Sequence, residues 1–190
     1  MATSRKKTSD EKPEKESQQK KDAGASGRSG RSGRSGRRYW LMKSEPDVYG
    51  IDDLRRDGTT MWDGVRNYQA RNFMRDEMQV GDGVLYYHSN TKPMAIVGLA
   101  RVSREAYPDP TQFTKGRYHD PKATREEPRW FLVDIEHVRT FDEPLPLAFL
   151  KERPELEGMP LLAKGQRLSV QPVSTEHWRA VCKMAGVKPF

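Results

Sequence analysis

The stretch "GVLYYHSNTKPMAIVGLARVS" at residues 83–103 decides the fold class. In its first part Val84, Tyr86 and His88 fall on one side, with Leu85, Tyr87 and Ser89 on the other. That two-residue alternation is the period of a β-strand. A Pro-containing turn at "NTKP" follows, and "MAIVGLARVS" supplies the next strand. Further strands are expected at "YWLMKS" (39–44), stopped by Pro46, and at "RWFLVDIEHVRTF" (129–141), the longest candidate. "RLSVQPV" (167–173) is a short one, where Pro172 implies an edge or an end.

Helices are fewer. "IDDLRRDG" (51–58) is acidic at its start and closed by Gly58. Ala70, Phe73, Met74 and Met78 share one helical face, so a helix should start near Asn67 or Tyr68. "PLAFLKERPEL" opens on Pro146 at a favoured first-turn position. A last helix should run from a Ser174 cap to Gly186, burying Trp178, Val181, Cys182 and Ala185. The segment from Tyr107 to Pro128 reads as mostly loop. Strands that outnumber helices without regular alternation predict an α+β fold with a curved or closed, mainly antiparallel sheet.

Charge sorts the 190 residues into two parts. The formal excess of +7 resides wholly in residues 1–38, and residues 39–190 hold 22 charges of each sign. Residues 1–38 end in an Arg-Ser-Gly repeat, contain no aromatic and are expected to be disordered, because they cannot bury enough apolar area to offset ordering entropy. They form either a solubilising tail or a basic arm. A charge-balanced body cannot grip a long phosphate track by broad electrostatics, so any nucleic-acid binding there needs a local site. A single cysteine excludes an intramolecular disulfide framework and a Cys-rich zinc cluster. It fits an intracellular setting, in the nucleus for a eukaryote or the cytoplasm and nucleoid for a bacterium. No apolar run approaches the ~20 residues of a membrane span, and no secretory signal is expected.

Catalytic signatures are missing: no nucleophile elbow, phosphate-binding loop, zinc-protease helix or dinucleotide fingerprint occurs. His88, His119, His137 and His177 are scattered without metal-ligand spacing, and no cofactor is expected. A triad of Ser89, His88 and Asp63 is disfavoured because adjacent strand residues point to opposite faces. Three polar clusters at element ends are left. "KSEP" offers Lys43 and Ser44. "WDGVRNYQARN" (62–72) offers Trp62 and delivers Arg66, Asn67 and Tyr68 to a helix N-terminus. "YYHSN" (86–90) offers His88, Ser89 and Asn90. Each also has a plain structural use: Trp62 as a core aromatic, Asn67 as a cap, Ser89-Asn90 as a turn. Converging, they would make a concave site with an aromatic wall.

With these segments assembled, the sequence resembles the EVE-domain family of the PUA-like superfamily. The resemblance rests on "YWLMKSEP" (39–46), "WDGVRNYQARN" (62–72), "YYHSN" (86–90), "YPDPTQF" (107–113), "PRWFLVDIEHVR" (128–139) and "RLSVQPV" (167–173), and covers residues 39 to about 186. Thr91 departs from the Cys that often follows this "HSN". The resemblance implies a PUA-like pseudo-barrel flanked by short helices, acting as a monomeric, non-catalytic reader of nucleic acid. An extruded base, 5-methyl- or 5-hydroxymethylcytosine in DNA by preference, would enter an aromatic-walled pocket; modified RNA and a nucleic-acid-processing enzyme using Asp63, His88 or Lys43 are the alternatives. In that picture Trp62 stacks on the base, with Tyr68 and Tyr107 as further walls. Asn67, Ser89, Asn90 and His88 address the base edge. Lys43, Arg66 and Arg71 hold phosphates, and Arg167 touches backbone or braces the site. One extra methyl in an apolar notch adds only ~0.8 kcal/mol and one satisfied hydroxyl ~1 kcal/mol. Preference for a modified base should therefore be modest rather than absolute.

Overall fold

The computed structural model describes residues 36–190, so most of the expected basic leader lies outside the described residues. Six strands form one sheet: β1 (Tyr39–Ser44), β2 (Thr59–Met61), β3 (Gly83–His88), β4 (Ala95–Pro108), β5 (Phe131–Pro146) and β6 (Val170–Val173). Their order is β2-β5-β4-β3-β1-β6. Every neighbouring pair is antiparallel except β1 and β3, which run parallel in register from Tyr39 opposite Gly83 to Ser44 opposite His88. The fold is thus α+β as expected, but the sheet is mixed and does not close into a barrel. β2 and β6 remain edges, and Pro172, which has no N–H to donate, sits on one of them. Curvature comes from the long β4–β5 pair, whose register shifts at four places. An extra residue at such a shift bends the strand and increases its twist.

Both faces of the sheet are covered. Trp40, Met42, Val84, Tyr86, Ala100, Val102 and Ile135 build one core, with Leu54, Ala70 and Met74 packed on it. These last three come from α2 (Ile51–Asp57), α3 (Tyr68–Asn72) and the π-turn at Phe73–Glu77 that prolongs α3. Leu41, Leu85, Tyr87, Ile96, Leu99 and Phe141 build the other core. It is sealed by α4 (Leu147–Lys151), two short 3-10 turns at Pro154–Leu156 and Pro160–Leu162, and α5 (Thr175–Met184). Alternating residues of β1 and β3 therefore serve opposite cores, which is why "YWLM" and "VLYY" are apolar at every position.

Several sequence expectations meet the structure closely. Gly58 closes α2 at a φ of 78°. Asn67 caps α3 by accepting the Ala70 N–H, and Ser174 caps α5 by accepting that of His177. Cys182 is fully buried, and desolvation raises its thiol pKa to about 11. The helix expected from Pro146 is shorter than its pattern: α4 stops at Lys151, and the chain continues as a 3-10 turn from Pro154. Pro154 supplies no N–H for a continuing ladder. A short helix α1 (Pro46–Tyr49), with no buried residue, connects β1 to α2.

Candidate functional site

Because β1 and β3 are parallel and in register, their carboxyl ends stop at one level. Ser44 follows Lys43 there, and the Ser89 N–H donates to the Ser44 carbonyl at 2.8 Å. A cleft of about 1100 Å³ opens above these ends. It is lined by the loop after β2, Trp62 to Arg66, by Leu147 and Lys151 of α4, and by the segment 161–167.

Trp62 is 8% exposed. Its ring meets Tyr86 edge-on at 5.5 Å, so one side belongs to the core. Its indole N–H has no acceptor among the described residues, and it is not among the fully buried atoms that lack a partner. That N–H is therefore not fully buried, and Trp62 lines the cleft. Trp62 is both core and wall.

The loop behind it is held by a buried carboxylate. Asp109, 1% exposed, accepts from the Gly64 N–H at 3.1 Å, from Arg66 Nη1 at 2.8 Å and from the Thr111 N–H at 2.7 Å. Burial works to raise its pKa, but the bonds from Arg66 and Thr111 hold it below the ordinary aspartate value. Arg66 spends its five N–H groups inside the protein, on Asp109, Thr111, the Val65 carbonyl and, twice, the Tyr118 carbonyl. Its guanidinium also lies 5.3 Å from the Trp130 ring centroid. Arg66 lines the cleft as a brace with no donor left for a phosphate. Gly64 is needed for a different reason: at φ 72° it brings the backbone against Tyr118, where a Cβ would sit 2.7 Å from the ring.

The floor is polar. Ser44 Oγ donates to the Tyr49 carbonyl at 2.7 Å, and Ser89 Oγ reaches the Ser44 carbonyl at 3.3 Å. Lys43 Nζ donates to the Gln166 carbonyl at 3.1 Å and lies over the Tyr87 ring, and burial lowers its pKa. Asn90, at φ 53°, donates to Glu45 across the mouth at 2.8 Å. Desolvation, reinforced by Asp109, raises the pKa of Asp63.

Of the residues singled out from the sequence, Lys43, Ser44, Trp62, Arg66, Ser89, Asn90 and Arg167 line this one cleft. Five do not. Asn67 is occupied as the α3 cap. His88 Nε2 accepts the Ile51 N–H at 3.1 Å, so that nitrogen carries no proton, and desolvation lowers the ring's pKa. Tyr68 stacks on Trp130 at 4.8 Å with Arg71 over its ring, and Arg71 also donates to the Arg129 carbonyl. Tyr107 donates to Asp134 at 2.6 Å beneath Arg104. These make a separate arginine–aromatic surface.

The structure adds Arg117, Tyr118, Lys151 and Lys164, which the sequence reading did not single out. Lys151, Lys164 and Arg167 are exposed and pair with no carboxylate among the described residues. Besides Arg66, which Asp109 neutralises, the lining carries Lys43, Arg117, Lys151, Lys164 and Arg167 against Glu45 and Asp63. A domain balanced in total charge thus concentrates positive potential in this cleft, where low-dielectric walls focus it.

A family model described as the EVE domain matches residues 38–184. The chain belongs to the EVE-domain family. It is 42% identical over 170 residues to human thymocyte nuclear protein 1, covering 80% of this chain and 75% of that protein. Among solved structures, a hypothetical protein of Leishmania major superposes with a TM-score of 0.76 at 49% identity, covering 80% of this chain and 96% of that one. Human thymocyte nuclear protein 1 in complex with DNA containing 5-methylcytosine superposes with a TM-score of 0.72 at 41% identity, covering 80% and 99%. No described helix of this EVE domain is long and apolar enough to cross a membrane.

Proposed function

We propose that this EVE domain reads modified nucleic acid without altering it, receiving one extruded base in the cleft at the carboxyl ends of β1 and β3. The observation that carries this is Trp62, which lines a cleft together with Lys43, Arg117, Lys151, Lys164 and Arg167 and whose indole N–H has no acceptor among the described residues. A base seated there stacks on or abuts the indole, a contact worth ~1–3 kcal/mol by analogy with single-strand platforms. The indole N–H, Ser44, Ser89 and Lys43 supply hydrogen-bond partners at the base edge, and Arg117, Lys164 and Arg167 neutralise flanking phosphates. Phosphate contacts position the strand, whereas the pocket discriminates.

The solved complex of human thymocyte nuclear protein 1 with 5-methylcytosine DNA supports methylated DNA as the target, at 41% identity and with the same fold. Modified RNA is the alternative substrate. A nuclear location is proposed for a eukaryotic source, since the human relative is named a nuclear protein. We take the domain to act as a monomer.

Anisotropy titrations at matched salt test the reading. A duplex with one 5-methylcytosine or 5-hydroxymethylcytosine should bind several-fold more tightly than its plain twin. The labelled strand should remain intact with and without divalent metal, because Asp63 and Lys43 serve the site as charges rather than as an acid–base pair. Equal affinity for modified and plain duplexes would remove the proposal, and strand or base loss would replace it with an enzymatic one.

A further inference from the structure

Extruding a base leaves a gap in the stack, and many base-extruding proteins fill it with an apolar wedge. Five large hydrophobic side chains are strongly exposed among the described residues, and three of them, Val48, Met61 and Met94, line the cleft. Single exposed hydrophobics are ordinary; three gathered on one cationic cavity are not.

Val48 is 66% exposed on α1, a helix that buries nothing. Met61, 48% exposed, ends β2 immediately before Trp62. Both line the cleft that Trp62 lines. Met94, 39% exposed, follows the turn at the end of β3 and lines the same cleft, its carbonyl accepting from the Leu147 N–H at the start of α4. An apolar lip beside an aromatic wall and within a cationic lining fits one occupant: a double-stranded nucleic acid whose stack opens at the target nucleotide. Phosphates meet the cations, the base enters beside Trp62, and apolar side chains replace it between its former neighbours.

We propose that Val48 and Met61 form a wedge that enters the base stack as the target nucleotide leaves it, making this cleft a reader of duplexes rather than of single strands. The proposal rests on the reading of the cleft as a base receptor. It predicts a change in the ratio of two affinities, which general damage to the fold does not move. A Val48→Ser/Met61→Ser double variant should bind a 5-methylcytosine duplex about ten-fold more weakly. It should bind the same methylated strand, single-stranded, as tightly as the wild type does, because no stack has to be opened. A Val48→Leu/Met61→Leu variant, which keeps apolar bulk, should retain duplex affinity. Unchanged duplex affinity in the serine variant overturns the wedge, as does an equal loss on duplex and single strand or a failure of the leucine variant to retain binding. A wild-type chain that does not distinguish methylated from plain duplex overturns the base-receptor reading and the wedge with it. Discrimination that persists in the serine variant with undiminished duplex affinity overturns only the wedge.

Discussion

Asp109→Ala is expected to lower stability by about 3–5 kcal/mol, the range for removing one partner of a buried ion pair. For a domain of this size that corresponds to a fall in Tm of roughly 6–20 °C. The loss is large because the carboxylate answers three groups at once. Without it the Gly64 and Thr111 amides lose their acceptor, and the Arg66 guanidinium, 21% exposed, keeps its charge with only neutral partners. Asp109→Asn, which keeps the shape and one acceptor, should lose less. The pH dependence has a definite sign. The folded-state pKa is depressed, so the contribution is fully present above the ordinary aspartate value and is lost as pH falls through the lower folded value. The gap in Tm between wild type and Asp109→Ala should therefore be widest near neutrality and narrow in acid. A gap that widened on acidification would show that Asp109 is not held as a charged acceptor.

Trp62→Ala should have two separable effects. Removing a buried indole from the core beside Tyr86 and Val65 is expected to cost about 3–5 kcal/mol of stability. Loss of the cleft wall should weaken binding of a methylated duplex by ~1–3 kcal/mol, or roughly five- to 150-fold. The preference over plain duplex should shrink toward unity, since what remains is phosphate attraction that ignores the base. Trp62→Phe separates the roles: an aromatic wall remains without the N–H, so stability should largely recover while part of the base preference does not. Thermal unfolding and paired titrations on the same samples check both halves. A Trp62→Ala chain that still folds and still prefers the methylated duplex would place the base elsewhere.

Much of this design is written locally. The caps at Asn67 and Ser174, the turn at Gly58 and the alternation in β1 and β3 all depend on neighbours within a few residues, and the sequence displays them. The three-residue β2 is too short to show a period. The parallel pairing of β1 with β3 depends on contacts some forty residues apart, and it is that pairing which brings Ser44 beside Ser89. Sequence proximity misleads in the other direction at "WDGVRNYQARN". Trp62 to Arg66 form a loop that lines the cleft, but the helix begins at Tyr68, and Tyr68 stacks on Trp130 with Arg71 over its ring. Arg66 looks like a phosphate ligand until its five donors are followed to their acceptors. Lys151, Lys164 and Arg117 arrive from three distant segments, with no shared pattern to announce them. The same is true of Val48 and Met61, unremarkable singly and informative only by position.

Trp62 offers the most direct test, because the other three indoles are internal controls. The N–H groups of Trp40 and Trp130 are bonded to Asp82 and Asp120, and that of Trp178 is buried. In a 15N-indole NMR spectrum, with the Trp62 signal assigned by its loss in Trp62→Phe, adding a short duplex with one 5-methylcytosine should move that signal strongly. The plain duplex at equal saturation should move it less, and the other three indoles should hold their positions. A Trp62 signal that stays in place under saturating methylated duplex would contradict a base seated in the cleft.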